Sequence, residues 1–187
     1  MWIPGISSIE IRVEAAAVEM TAAVYNYMAN QVNYQKQLDA VITEHQKKGE
    51  TPTVVLHSCC APCSSYCLLY LTEGFRIIDL YYNPNIYPEE ENQKRADELK
   101  RLIEAYGSQG RLKHDVAFVE GKYDSGRFYE LVKGLEHLPE GDERCKVCFR
   151  MRLTEAALLA KEMGADYFAT TLTISPLKNA DQLGITP

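Results

Sequence analysis

No stretch of the sequence reaches the roughly 18 uninterrupted apolar residues from which a membrane span is read, and the longest apolar helix-like run, near the start, is broken by Glu14 and Glu19. No membrane association is expected. The N-terminus, Met1-Trp2-Ile3-Pro4-Gly5, lacks the basic and apolar regions of a secretory leader and runs into acidic residues. Positive charge is not in surplus either: 20 Lys and Arg stand against 26 Asp and Glu, a formal net charge of −6. That balance disfavours a broad polybasic surface, so an RNA partner would need a local basic patch. Internal repeats and low-complexity stretches are missing, and a composition 46% hydrophobic and 25% charged, with 11 Gly and 8 Pro, excludes collagen-like and disordered classes. The expected location is the cytoplasm, where structural disulfides rarely persist and clustered thiols serve metals or redox chemistry.

What is present is a chain of 187 residues, enough for one domain with a substantial core. Residues 1–32 read as a weakly specified helical extension without a chemical motif, and residues 33–187 as a single α/β domain. Asn33 to Lys48 carries an apolar stripe of Leu38, Val41 and Ile42 and predicts a helix that Gly49 and Pro52 end. Thr53-Val54-Val55-Leu56-His57 has the pattern of a strand buried on both faces. Ser64 or Ser65 is placed to cap a following helix closed by Gly74, and a second strand, residues 77–82, stops at Asn83-Pro84-Asn85. Pro88 with Glu89, Glu90 and Glu91 opens a long helix ending near Gly107. A third strand is expected at 116–119, helices at 128–135 and 154–163, the last ended by Gly164, and a fourth strand at 166–172. Strands alternating with helices predict a Rossmann-like three-layer domain, a mainly parallel sheet with helices on both faces. Ligands in such folds gather beyond the carboxyl ends of the strands, and three loops start there: 57–63, 83–88 and 173–181.

Five of the six cysteines fall into two clusters, Cys59-Cys60-x-x-Cys63 and Cys145-x-x-Cys148. The first sits at a strand-to-helix junction, where free N–H groups and the helix dipole favour thiolate, the form that binds metal. Cys67, four residues after Cys63 in an apolar helix, reads as core packing. Three readings use these thiols. A structural zinc site in a nucleic-acid-binding domain would take Cys60, Cys63, Cys145 and Cys148. A thioredoxin-like oxidoreductase would use Cys60 and Cys63, with Thr173-Ile174-Ser175-Pro176 as the facing proline loop, and leaves the other clustered thiols unexplained. An iron–sulfur centre uses every clustered thiol, including the adjacent Cys59-Cys60 pair.

Four ordered segments carry a resemblance: His57-Ser58-Cys59-Cys60-Ala61-Pro62-Cys63-Ser64; Tyr82-Asn83-Pro84-Asn85-Ile86-Tyr87-Pro88-Glu89-Glu90; Arg144-Cys145-x-x-Cys148-x-Arg150-x-Arg152; and Thr170-Thr171-Leu172-Thr173-Ile174-Ser175-Pro176-x-Lys178-Asn179. From about Asn33 to Leu183 the chain resembles the epoxyqueuosine reductase QueH family. The resemblance implies reduction of the epoxide of epoxyqueuosine in a tRNA anticodon to the cyclopentene of queuosine, with electrons from a separate, unidentified donor. It implies a 4Fe-4S cluster on Cys59, Cys60, Cys145 and Cys148 and a second, mononuclear iron nearby, with Cys63 a ligand of one or the other. Family members continue to a Cys-Gly-Cys beyond the point where Gly184-Ile185-Thr186-Pro187 ends this sequence, so a C-terminally truncated domain is expected, with a variant of the family pattern as the alternative.

Proton donors are expected among His57, Tyr82, Lys178 and Asp181, on the three loops facing the site. Local positive charge for RNA comes from Arg144, Lys146, Arg150, Arg152 and Lys178, with Lys94, Arg95, Lys100 and Arg101 along the long helix. Tyr81, Tyr82 and Tyr87 are candidates to stack on a splayed base.

Overall fold

The computed structural model describes residues 34–174. The expected extension at residues 1–32 and the predicted site residues Lys178 and Asp181 lie outside the described residues. The chain divides into two compact units, Met1–Val41 and Ile42–Pro187. In the first, the described residues 34–41 open helix α1 (Tyr34–Lys48), where the Gln35 side-chain amide donates to Asp39 at 2.9 Å, one turn on.

The second unit continues through β1 (Thr53–Ser58), α2 (Ala61–Leu71), β2 (Arg76–Tyr81), α3 (Glu89–Ser108), β3 (Val116–Glu120), α4 (Ser125–Leu131), α5 (Glu143–Met163), β4 (Tyr167–Thr170) and a 3-10 turn, Thr171–Ile174. All four strands are parallel, in the order β3-β2-β1-β4. Parallel neighbours need crossovers, and crossovers of one hand that step outward from β1 through β2 to β3 and then back across to β4 place helices on both faces. Helices α2 and α3 pack on one another, and α5 packs on β1 and β4. This is the three-layer α/β arrangement expected from the alternation of elements. No helix of the described residues is long and apolar enough to cross a membrane.

Strand β1 is buried from Val54 to Ser58, as its unbroken apolar run requires of a central strand. The helix boundaries shift in ways that matter for the cysteines. Neither Ser64 nor Ser65 caps α2. Its N-cap is Cys60, with Pro62 in the first turn, and the two serine hydroxyls donate back to the carbonyls of Cys60 and Pro62 at 2.9 and 2.8 Å. The polar segment holding Cys145 and Cys148 opens a helix, as its sequence suggests, and that helix is continuous with the one expected at 154–163: α5 begins at Glu143, where the Asp142 carboxylate accepts from the Glu143 N–H at 2.7 Å. Cys145 and Cys148 therefore stand in its first two turns. Gly164 closes it with φ +63, as predicted. Helix α4 also starts early, at Ser125, with Asp124 accepting from the Arg127 N–H at 3.0 Å.

Gly74 does not cap α2, whose C-cap is Thr72. Its role is close approach: a Cβ there would lie 2.8 Å from Cγ2 and 3.2 Å from Cγ1 of the buried Ile42. Gly74→Ala is expected to cost about 1–3 kcal/mol through overpacking. Urea midpoints measure this, and Ile42→Ala, which removes both of these carbons, should cost less in the Gly74→Ala background than in the unmodified chain.

Candidate metal centre

The sheet order reverses at β1: the chain steps outward from it through β2 to β3 and returns to pair β4 on its other side. The crevice beyond the carboxyl ends of the strands at such a reversal is the usual ligand site of an open α/β sheet. Strand β1 delivers Cys59 and Cys60 directly into it, and Cys63 follows in the first turn of α2. The three Sγ atoms all lie within 4.8 Å of one another, and those of Cys59 and Cys60 are 3.9 Å apart. None of the six cysteines is in a disulfide.

The positive end of α2 faces this group, and no side chain caps that end. Thr171, just past β4, clasps the first thiol: the Cys59 N–H donates to Thr171 Oγ1 at 3.1 Å, and the hydroxyl lies 3.4 Å from Cys59 Sγ as its donor. Hydrogen bonding from Cys60 pulls the Cys59 thiol down, with smaller help from Thr171, Cys63 and the Arg152 charge against the cost of burial. Cys60 moves the opposite way, held up by its bond to Cys59 and then by burial. The adjacent pair thus favours a single negative charge centred on Cys59.

The second pair arrives from α5. Cys145 Sγ accepts the Gly141 N–H at 3.2 Å. Cys145 and Cys59 pack against the same small cluster, formed by Phe149 and Leu172. Cys148 is buried in the main core with Tyr82, Phe128 and Met151. Neither α5 sulfur belongs to the group of three thiols that meet within 4.8 Å.

His57, at the end of β1, is fully buried with both ring nitrogens engaged. Nε2 faces the Tyr82 carbonyl oxygen at 3.0 Å and so carries the proton, leaving Nδ1 to accept from the Thr170 hydroxyl at 3.0 Å. Burial, then the Arg152 charge, lower its pKa to about 3, so the ring is neutral at ordinary pH. The Tyr82 ring is buried in the core, and burial raises its hydroxyl pKa. Tyr81 is buried too, its hydroxyl donating to the Asn92 carbonyl at 2.9 Å, so neither ring is open to a stacked base. Tyr87, 73% exposed, is open to one.

Two charged residues were misread or missed. Arg152, expected on the RNA-facing surface, is 5% exposed. Asp79, in the middle of β2, is fully buried. Burial pushes its pKa up to about 7, the nearby Ser58 hydroxyl offsets part of this, and the Cys59 charge adds to it. The signal was available in the sequence: an acid inside Ile77-Ile78-Asp79-Leu80-Tyr81, and an arginine seven residues after Cys145, on the same helical stripe.

Among the described residues, the buried side-chain polar atoms without a hydrogen-bond partner are Ser58 Oγ, both Asp79 carboxylate oxygens, Asn85 Oδ1 and Arg152 Nε. Ser58 precedes Cys59, Asp79 feels its charge, and Arg152 acts on it electrostatically. Three converging soft sulfur donors suit a thiophilic metal centre rather than a hard, oxygen-seeking cation.

Fold and site together define a parallel α/β protein with a candidate thiolate metal centre at its topological switch point. Comparison with known families gives the particular one: the profile described as "Epoxyqueuosine reductase QueH" matches residues 54–186, and the chain belongs to that family. Over 156 residues it is 40% identical to a protein of that name from Staphylococcus epidermidis, covering 82% of this chain and 65% of the relative. One from Streptococcus pyogenes serotype M1 is 36% identical over 167 residues, 89% of this chain and 65% of the relative. Another, from Acinetobacter baylyi, is 40% identical over 131 residues, 70% of this chain and 56% of the relative. The chain thus spans less than two thirds of the length of these relatives.

Proposed function

We propose that this chain carries the metal centre of a reductase that converts epoxyqueuosine in a tRNA anticodon to queuosine. The observation that carries the reading is the convergence of Cys59, Cys60 and Cys63 at the switch point of the sheet, in a chain whose relatives bear the name epoxyqueuosine reductase. In the overall reaction the epoxide takes up two electrons and two protons, both C–O bonds break, and an alkene and water are left.

Cys59, Cys60, Cys145 and Cys148 would hold a 4Fe-4S cluster, with Cys63 a further ligand of the cluster or of a second, mononuclear iron. Bound there, the cluster supplies electrons singly, and the second iron supplies Lewis acidity. The chain's own contribution is placement and charge. The N-terminal ends of α2 and α5 present both cysteine sets to positive dipole ends. His57 ties β1 to the start of the β2–α3 loop and to β4 as a neutral ring, which favours a positioning role over proton donation. Lys178 and Asp181 are retained as proton-donor candidates. For the tRNA, exposed Arg150 and Tyr87 are the best placed, with Arg144 and Lys146 at the start of α5, where Lys146 Nζ is 2.6 Å from Glu143.

The test is anaerobic purification with iron, sulfide and zinc analysis, followed by incubation with epoxyqueuosine-containing tRNA and a chemical reductant, then mass spectrometry of the digested nucleosides. About four irons and four sulfides per chain and conversion to queuosine are expected. Stoichiometric zinc would overturn the cluster assignment. Unchanged epoxyqueuosine with a full cluster would overturn the substrate assignment.

A further inference from the structure

Arg152 is the one buried lysine or arginine among the described residues. Positions 145, 148 and 152 follow one another at i, i+3 and i+7, so the arginine projects from the same stripe of α5 as the two cysteines. One limb of its guanidinium is anchored: Nη1 donates to Asn83 Oδ1 at 3.1 Å, and the Asn83 amide in turn donates to the Ser58 carbonyl at 2.9 Å, one residue before Cys59. Asn83 is itself fixed by Asn92, whose amide donates to the Asn83 carbonyl at 2.7 Å. The guanidinium carbon lies 5.7 Å from the centre of the Phe149 ring, and Phe149 packs with Leu172 beside Cys59 and Cys145.

Among the described residues this cation has no anionic side-chain partner. The ion pairs among the described residues, His45–Glu50, Lys48–Glu44, Arg95–Glu91 and Lys146–Glu143, do not include it, and its Nε has no hydrogen-bond partner. A buried arginine without a carboxylate is costly unless another negative charge offsets it. The nearby group that gathers negative charge is the thiolate centre: through Asn83 the guanidinium is tied to the Ser58 carbonyl, one residue before Cys59, and through Phe149 it borders the cluster against which Cys59 and Cys145 pack.

We infer that Arg152 is the built-in counter-charge of the cysteine centre, a positioning residue whose buried guanidinium balances the negative charge of the thiolates and raises the reduction potential of the group they hold. The inference rests on the proposed iron–sulfur reading of that centre. It gives the arginine of the Cys-x-x-Cys-x-Arg-x-Arg segment a task distinct from that of the exposed Arg150, which is free to meet a phosphate.

The test compares the anaerobically purified full chain with Arg152→Lys and Arg152→Met by electrochemical titration, and follows iron release to a chelator. Losing the charge disfavours adding an electron. Arg152→Met is therefore expected to weaken one-electron reduction about tenfold or more, a midpoint at least about 59 mV more negative, and to release iron several-fold faster. Arg152→Lys, which keeps the charge and loses the fork to Asn83, should stay near the unmodified protein on both measures. If the two variants match each other, whether both intact or both impaired, the residue acts through packing and its bond to Asn83, and the inference is overturned. Iron and sulfide missing from the unmodified chain would instead fail the underlying reading and take this inference with it.

Discussion

A chain in which Cys59 and Cys60 are both serine is expected to purify anaerobically with less than about a tenth of its iron and sulfide and without measurable epoxide reduction. The expectation follows from where these two residues stand. They are two of the three thiols that converge within 4.8 Å, and Cys60 is also the N-cap of α2. A serine hydroxyl keeps the hydrogen-bonding capacity of a cap but is far too basic as an alkoxide to replace a thiolate. The α5 pair makes the sharper experiment, because its sulfurs do not join that group of three. If the centre is closed by residues from both helices, Cys145→Ala with Cys148→Ala loses iron and sulfide to the same extent, although the α2 thiols are untouched. Full iron and sulfide in that variant would sink the assignment of the α5 cysteines. Cys67 is the internal control. It stands one turn beyond Cys63, and its thiol is held up by burial, then by the charges of Cys63 and Asp79. Cys67→Ala should keep its iron.

The sheet was readable from the sequence because its strands are short apolar runs bounded by turn residues and separated by amphipathic helices. Thr53–Ser58 and Val116–Glu120 fall where the pattern placed them. Helix beginnings were less legible for a physical reason: caps are chosen by local competition that hydrophobic periodicity does not encode. Ser64 and Ser65 have the chemistry of caps, yet Pro62 favours the first turn and moves the start of α2 to Ala61. Asp142 likewise starts α5 well before Thr154, through turns in which Glu143, Arg144 and Lys146 alternate with the buried Cys148, Phe149 and Met151. The thiols were legible as clusters, and the α2-side convergence followed from a strand end running into a helix start. The burial of Arg152 was not, since charged residues on helices are usually solvated, and only its register with Cys145 and Cys148 distinguishes it from Arg150. Tyr81 and Tyr82 misled in the opposite direction. Tyrosine suits RNA stacking, but Tyr81 ends β2 and Tyr82 follows it, both buried, and Gly121 leaves the space that the Tyr82 ring fills, where a Cβ would come within 2.8 Å of it.

Stability of the reduced, metal-free chain is expected to stay nearly flat between pH 6.5 and pH 5 with respect to its two buried ionisable neighbours, and to tilt in opposite directions when each is removed. His57 has a folded pKa of about 3 against 6.5 for the free side chain, so below pH 6.5 the unfolded chain binds a proton that the folded chain refuses, and stability falls on acidification. Asp79 has a folded pKa of about 7 against 3.8, so from pH 7 downward the folded chain binds a proton that the unfolded chain does not, and stability rises. Each contributes about 1.4 kcal/mol per pH unit in the window they share, with opposite sign. Asp79→Asn leaves the histidine unopposed and should lose about 2 kcal/mol relative to the unmodified chain on going from pH 6.5 to pH 5. His57→Gln leaves the acid unopposed and should gain about as much over the same interval. Other carboxylates contribute equally to all three proteins, so the differences between their denaturant midpoints isolate this pair. Two variants tilting the same way would show that at least one of these groups is not held in the protonation state that its burial dictates. The opposed titrations also bear on the site itself. They keep a neutral imidazole and, below about pH 7, a neutral carboxylic acid near Cys59, so that among the described residues Arg152 is the buried side chain that keeps its charge.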